Sequence, residues 1–193
     1  VYFGMVGYLA MFFNEAVGLD DVWAGRMVGV LTWGITFSMF LFGGLADRWG
    51  VRVAMLAALV LMLLGRVAIS SGPLLGLAPG GLGSPIHLLV MGGILLVVLG
   101  YGMYQPAAYA AVRQFTTPET AGIGYAMLYA LMNLGGWLPS FAFLLRDAKY
   151  AGLGIPGTYW VYTGLTLVGI VALGILLTPR VEREAIAAAQ AAT

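Results

Sequence analysis

The sequence predicts an all-α polytopic membrane protein with six transmembrane helices, and three observations carry that expectation. Hydrophobic residues make up 61% of the 193 residues and charged residues only 9%, with a mean hydropathy of +0.95. Soluble domains carry roughly 25% charged residues, so this chain could not cover a water-facing surface and stay dispersed. The apolar residues are gathered into six long runs rather than spread evenly, and a membrane helix needs about 20 of them in a row. The runs also lack the ~10-residue alternating segments of a membrane β-barrel.

The first run is Val1–Asn14, short at its front and closed by the polar stretch NEAVGLDD. Met27–Ala46 is the second, and LADRWGVR joins it to the third, Val53–Ser71, whose only charge is Arg66. A Gly/Pro-rich break, SGPLLGLAPGGLGSP, leads to the fourth, Ile86–Val112. RQFTTPET and RDAKYAG bound the fifth, Thr120–Leu145, and the sixth is Tyr150–Pro179. Residues 1–179 thus form one bundle with its first helix truncated, and no soluble domain interrupts it. Residues 180–193 are charged and then Ala-rich, as expected of a cytoplasmic helical tail or the start of a connector.

Orientation follows the Lys/Arg content of the loops. One side holds Arg48, Arg52, Arg113, Arg180 and Arg183; the other holds Arg26, Arg146 and Lys149. This bias places both termini in the cytoplasm and Glu15, Asp20 and Asp21 outside. The inner (plasma) membrane is the expected location. The chain opens in apolar sequence at Val1, without Met or a basic leader, so no signal peptide is read there.

Composition removes several function classes. A net charge of +1 offers no basic patch for nucleic acid. The absence of cysteine excludes thiolate metal sites, disulfides and cysteine nucleophiles. His87 is the single histidine, which excludes histidine clusters, and neither a metal nor another cofactor is expected. Ser38 and Ser140 have no His or Asp at matching depth, so a membrane hydrolase is not expected either.

Within the spans, a polar side chain needs a partner or a cavity to face. Tyr125, Tyr129 and Asn133 follow one another at i, i+4 and i+8 in the fifth span, and Tyr101 and Gln105 share a face of the fourth. Together with Tyr2 they are candidates for a substrate path, against the alternatives of interhelical hydrogen bonding or an interfacial tyrosine belt. Arg66 is expected to snorkel to the outer surface, and His87 to sit at the outer interface. Pro106 removes one backbone donor from the fourth span. No Asp or Glu falls in the middle of a span, so any proton-carrying group must lie outside these stretches.

The loop GGLADRWGVR, Gly43–Arg52, resembles the signature of the major facilitator superfamily, G-x-L-A-D-R-x-G-R-K. Gly43, Leu45, Ala46, Asp47, Arg48, Gly50 and Arg52 match, while Val51 stands where a basic residue is usual. Tyr2–Met5, YFGM, resembles the Y-Y-G-M of proton-dependent oligopeptide transporters. GYGMYQPAAYAAVRQF resembles that branch's fourth-helix signature through Gly100, Gly102, Pro106, Ala110, Gln114 and Phe115, with Gln105 in place of its Lys. Tyr129, Asn133 and Gly135 match the branch's fifth-helix pattern. The resemblance implies six helices arranged as a 3+3 inverted repeat, one half of a twelve-helix fold. LADRWG after the second span and LRDAKYAG after the fifth form a short echo of that repeat. It further implies a secondary transporter of a small solute, in this branch di- or tripeptides by symport, completed by a missing C-terminal six-helix half. Asp47 would then latch the cytoplasmic side, with Arg113 as its partner. The alternative is a non-transporting membrane scaffold or assembly subunit.

With no native cysteine to interfere, topology is directly testable. A Ser84→Cys label is expected to react with a membrane-impermeant thiol reagent from outside; reaction only from the cytoplasm would reverse the assigned orientation.

Overall fold

The computed structural model describes residues 2–192; Val1 and Thr193, the ends of the first predicted span and of the tail, lie outside the described residues. The regular elements among these residues are all helical. They are α1 (Tyr2–Phe12), α2 (Asp21–Phe42), α3 (Leu45–Trp49), α4 (Val51–Ser71), α5 (Pro85–Phe115), α6 (Pro118–Trp137), α7 (Phe143–Arg146), α8 (Gly154–Leu176) and α9 (Pro179–Ala191). Five stretches are long and apolar enough to cross a membrane: Asp21–Phe42, Val51–Leu75, Pro85–Phe115, Pro118–Arg146 and Gly154–Leu176. The remaining predicted span is α1, 11 residues long and continued by a π-helical turn over Phe13–Val17.

Where the helix ends differ from the charge-free runs, the cause is local. The second span starts at Asp21 rather than Met27, because Asp20 caps it: its Oδ1 accepts from the Trp23 N–H at 2.8 Å. Arg26 therefore sits inside the helix, over the Trp23 ring at 4.5 Å. The same span ends at Phe42, and Leu45–Trp49 forms a separate turn of helix before Gly50, whose φ of +81° suits glycine. The fifth span ends as regular helix at Trp137, followed by a 3-10 turn containing Pro139 and then α7, since proline cannot donate to the preceding turn. The sixth begins at Gly154, not Tyr150. Gly152 and Gly154 have φ of +65° and +63°, which turns the chain before the helix starts. α5, by contrast, runs unbroken through Pro106. The short helices α3 and α7 follow the second and fifth spans, the same places in chain order where the sequence echo falls.

The most extensive helix pairing is α4 against α5, and glycine permits it. A Cβ on Gly93 would stand 2.6 Å from the Gly65 carbonyl oxygen and 2.7 Å from Ile69 Cγ1, while one on Gly100 would stand 2.6 Å from the Ala58 carbonyl oxygen. The backbones are thus nearly in contact, as expected of small-residue interfaces in lipid. α5 also meets α2, where Gly102 leaves room only for Ser38. α4 meets α8 through Ser70 and Thr163, whose hydroxyls lie 3.1 Å apart. One apolar core, built on Leu9, Phe12, Leu31, Ile69, Val90 and Val97, joins α1, α2, α4 and α5. A smaller one at the other end gathers Ala46, Val51, Ala54, Met55 and Ala107. α6 has no buried residue and lies at the edge of the bundle.

At the α3–α4 end, α9 folds back on the bundle. Glu182 Oε1 accepts from the Arg52 N–H at 3.0 Å, at the start of α4, where a carboxylate also meets the positive end of the helix dipole. Arg52 Nε in turn donates to the Leu177 carbonyl at 2.6 Å, satisfying a group at the end of α8.

The seam carries a stability prediction. Gly93→Val is expected to destabilise the protein in detergent by about 1–3 kcal/mol, the usual cost of overpacking. Gly92→Val, whose Cβ would meet nothing within 4 Å, is expected to be nearly neutral. Equal melting temperatures for the two variants would show that α4 and α5 do not touch along this line.

Candidate functional site

Between α1, α4, α5, α6 and α8 lies a cleft of about 300 Å³. Its polar lining comprises Tyr2 from α1, Arg66 from α4, Tyr101 and Tyr104 from α5, and Thr166 from α8, with Met62, Leu131 and Met132 among its apolar walls. A second space of about 260 Å³ adjoins it, sharing Tyr101, Tyr104, Leu131 and Met132 and adding Gln105 and Tyr109. Apolar walls with a few converging polar groups are the usual character of a small-molecule site, and volumes of ~300–1,000 Å³ are typical. The rings of Tyr2 and Tyr101 stack with centroids 4.3 Å apart, which ties α1 to α5 across the cleft.

Arg66 is the one charged residue of this lining. It is 4% exposed, and one terminal guanidinium nitrogen donates to the Thr166 hydroxyl. Its Nε has no hydrogen-bond partner among the described residues. The salt bridges among these residues are Arg113–Asp47 and Arg180–Glu184, and neither involves Arg66. The expectation that Arg66 snorkels outward is therefore corrected. Helical side chains lean toward the N-terminus of their own helix. Arg66 lies near the C-terminal end of α4, so its side chain is carried back into the bundle, where Thr166 occupies the middle of α8. His87 stands in the first turn of α5, at the end of the span, and is buried there, at 7% exposure. Ser84 caps α5 so that His87 falls in its first turn, against the Phe13 ring at 5.9 Å.

The predicted cavity residues divide into three groups. Tyr2, Tyr101 and Gln105 line the paired clefts. Tyr125 stacks on Tyr109 at 6.1 Å and lines a separate recess of about 310 Å³ with Gly43, Asp47 and Arg113. Tyr129 is 67% exposed, and Asn133 is exposed and donates to the Tyr129 carbonyl of its own helix at 2.9 Å. These two do not share a cavity with Gln105, contrary to expectation. Four residues span about 400° at 3.6 per turn, so an i, i+4, i+8 row drifts about 40° at each step. The residues of α6 that reach the clefts are Leu128, Leu131, Met132 and Gly135; Tyr125 lies near their direction and Asn133 has turned away from it.

In the loop motif, Arg113 at the end of α5 donates to Asp47 Oδ1 at 2.8 Å. Both side chains are more than half exposed, so the pair is worth about 0–1 kcal/mol to stability and its value lies in position. Ala46 is buried beneath it, while Arg48 and Gly43 are exposed. Gly50 makes the turn into α4, and Arg52 is held by α9 as described. Three site residues were not read from sequence: Tyr104 and Thr166 in the cleft, and Glu182 at the α4 start. A lone charge in an apolar run was the signal available for Arg66, and helix direction decides which way it points.

Long apolar helices around a polar-lined cleft define a polytopic membrane protein. The family profile of the Major Facilitator Superfamily matches residues 1–193, and the chain belongs to that superfamily. Comparison with curated proteins gave no match. Among solved structures, a mutant of the peptide transporter POT, crystallised in complex with sulfate, shares the fold with a TM-score of 0.73 at 22% identity. The match covers 89% of this chain and 34% of that one, so the chain spans about a third of that transporter's length.

Proposed function

We propose that this chain is the N-terminal six-helix half of a secondary active transporter, moving a small solute by alternating access. The observation that carries this reading is the pair of adjoining clefts inside the bundle, where four phenols, a hydroxyl, an amide and a cation converge in apolar walls. Such polar groups are costly in a membrane unless they serve a cargo. Superfamily membership supports the class of activity, and the fold shared with a peptide transporter supports di- or tripeptides as the cargo. In this reading both termini are cytoplasmic, and a second six-helix half completes the carrier. The exposed face of α6 with Tyr129 and Asn133, and that of α2 with Trp33, Phe37 and Phe40, would meet that half or lipid. Proton coupling by symport would use a titratable group in the rest of the protein, because the described spans hold no mid-span Asp or Glu.

The Asp47–Arg113 pair would act as the inner latch. It joins the α2–α4 connection to the end of α5 and can be made or broken at little cost in stability, which suits a contact that changes between inward and outward states.

Uptake of dialanine by the full-length protein in proteoliposomes is the test. Uptake above protein-free vesicles is expected, and Asp47→Asn is expected to slow it several-fold while leaving the amount of inserted protein unchanged. Absence of uptake for every small solute tried would favour a non-transporting scaffold; unchanged kinetics in Asp47→Asn would remove the latch role.

A further inference from the structure

We infer that Arg66 is the anchor for a carboxylate: the cleft is built to hold the anionic group of a small organic acid inside this six-helix bundle. The site presupposes the transport role proposed above and assigns the chemistry of its cargo. Arg66 is 4% exposed as a residue, so its guanidinium has lost most of its hydration, and a buried charge is expensive unless paired. Here the donor side is only partly used. Thr166 takes one N–H, Nε is left without a partner, and no Asp or Glu among the described residues pairs with it. Arginine presents five N–H groups in a planar fork suited to both oxygens of a carboxylate.

The surroundings fit an acid rather than a neutral solute. Arg66 lines the cleft of about 300 Å³ together with Tyr2, Tyr101 and Tyr104. Phenols can donate to an anion, and their rings offer apolar surface for the rest of the molecule. Thr166 is itself anchored: its hydroxyl lies 2.9 Å from the Tyr162 carbonyl, and Thr163 one turn earlier binds Ser70. The guanidinium is thus held in place by α8, beside the cleft it lines, with the hydrogen-bonding capacity of its buried Nε unused. No other Lys or Arg lines these two spaces, and Gln105, in the adjoining one, is a neutral amide.

The test uses two matched pairs of probes on the purified full-length protein, benzoate against benzamide and dialanine against dialaninamide. Thermal unfolding in detergent is expected to shift upward with at least one acid and not with its amide. Arg66→Gln is expected to weaken binding of that acid roughly 10- to 100-fold, the range for losing a charged hydrogen bond. Arg66→Lys is expected to retain part of the affinity. Thr166→Val, which keeps the charge but frees the guanidinium, is expected to give an intermediate loss and guards against misfolding of the Gln variant. Stabilisation by amide and acid alike, no stabilisation by either acid, or full acid affinity in Arg66→Gln would each overturn the inference. Should Arg66→Gln simply unfold, unchanged acid affinity in both Arg66→Lys and Thr166→Val would overturn it. Uptake assays separate this site from the broader role: equal uptake of dialanine and dialaninamide leaves a transporter without an anion anchor, while acid binding without any uptake leaves the anchor without transport.

Discussion

The close contact of α4 and α5 is the constraint on which the remaining geometry depends. Apolar burial does not hold helices together in lipid, because lipid tails are as apolar as the side chains. What holds them is near approach, and Gly65, Gly93 and Gly100 supply it along one line. Once that seam is closed, Arg66 on α4 and Tyr101 on α5 lie on the walls of one cleft. The Ser70–Thr163 and Arg66–Thr166 contacts bring α8 onto the other side of α4. The α1 helix closes the space through the Tyr2–Tyr101 stack and the Tyr159 hydroxyl, which donates to the Met5 carbonyl at 2.8 Å. α6 is the exception. It contributes Leu131 and Met132 to the cleft but has no buried residue of its own, which leaves it free of the tight packing that fixes α4 and α5.

The two ends of the bundle are governed by different physics. The end carrying the loop motif is electrostatic: Asp47 with Arg113, Glu182 with the start of α4, Arg52 with the end of α8. Each joins helix termini that would otherwise present unpaired backbone groups or charges. The end carrying His87 buries Phe12, Phe13, Val17 and Ile86 fully, beneath a rim in which the Asn14 amide donates to Asp21 Oδ1 at 3.0 Å. The cleft lies at Tyr101, Tyr104 and Thr166, in the middle of α5 and α8.

The helices were legible in the sequence because charge is so costly in a span that its absence marks the segment. Their ends were less so. Asp20 caps α2 from beyond the charge-free run, and Pro139 ends α6 inside one. The loop motif was legible as a local string, and its contact with Arg113 could be inferred from chain order. Glu182 could not, because it reaches Arg52 across 130 residues and no local pattern marks it. The candidate site was half legible. Tyr2, Tyr101 and Gln105 line the paired clefts, whereas Tyr129 and Asn133 fall to the slow drift of an i+4 row. Arg66 was misplaced because its sequence position, close to a helix end, suggested the nearest surface, whereas side-chain direction sends it inward.

The central claim is that a guanidinium sits unpaired by protein carboxylates inside the bundle, facing a cleft. An electron cryo-microscopy map of the full-length protein in lipid, without added solute, tests it most directly. The account predicts Arg66 against Thr166, lining the cleft with Tyr101, and no Asp or Glu side chain in salt-bridge reach. An Arg66 side chain extended to the membrane surface, or paired with a carboxylate from the rest of the protein, would contradict it.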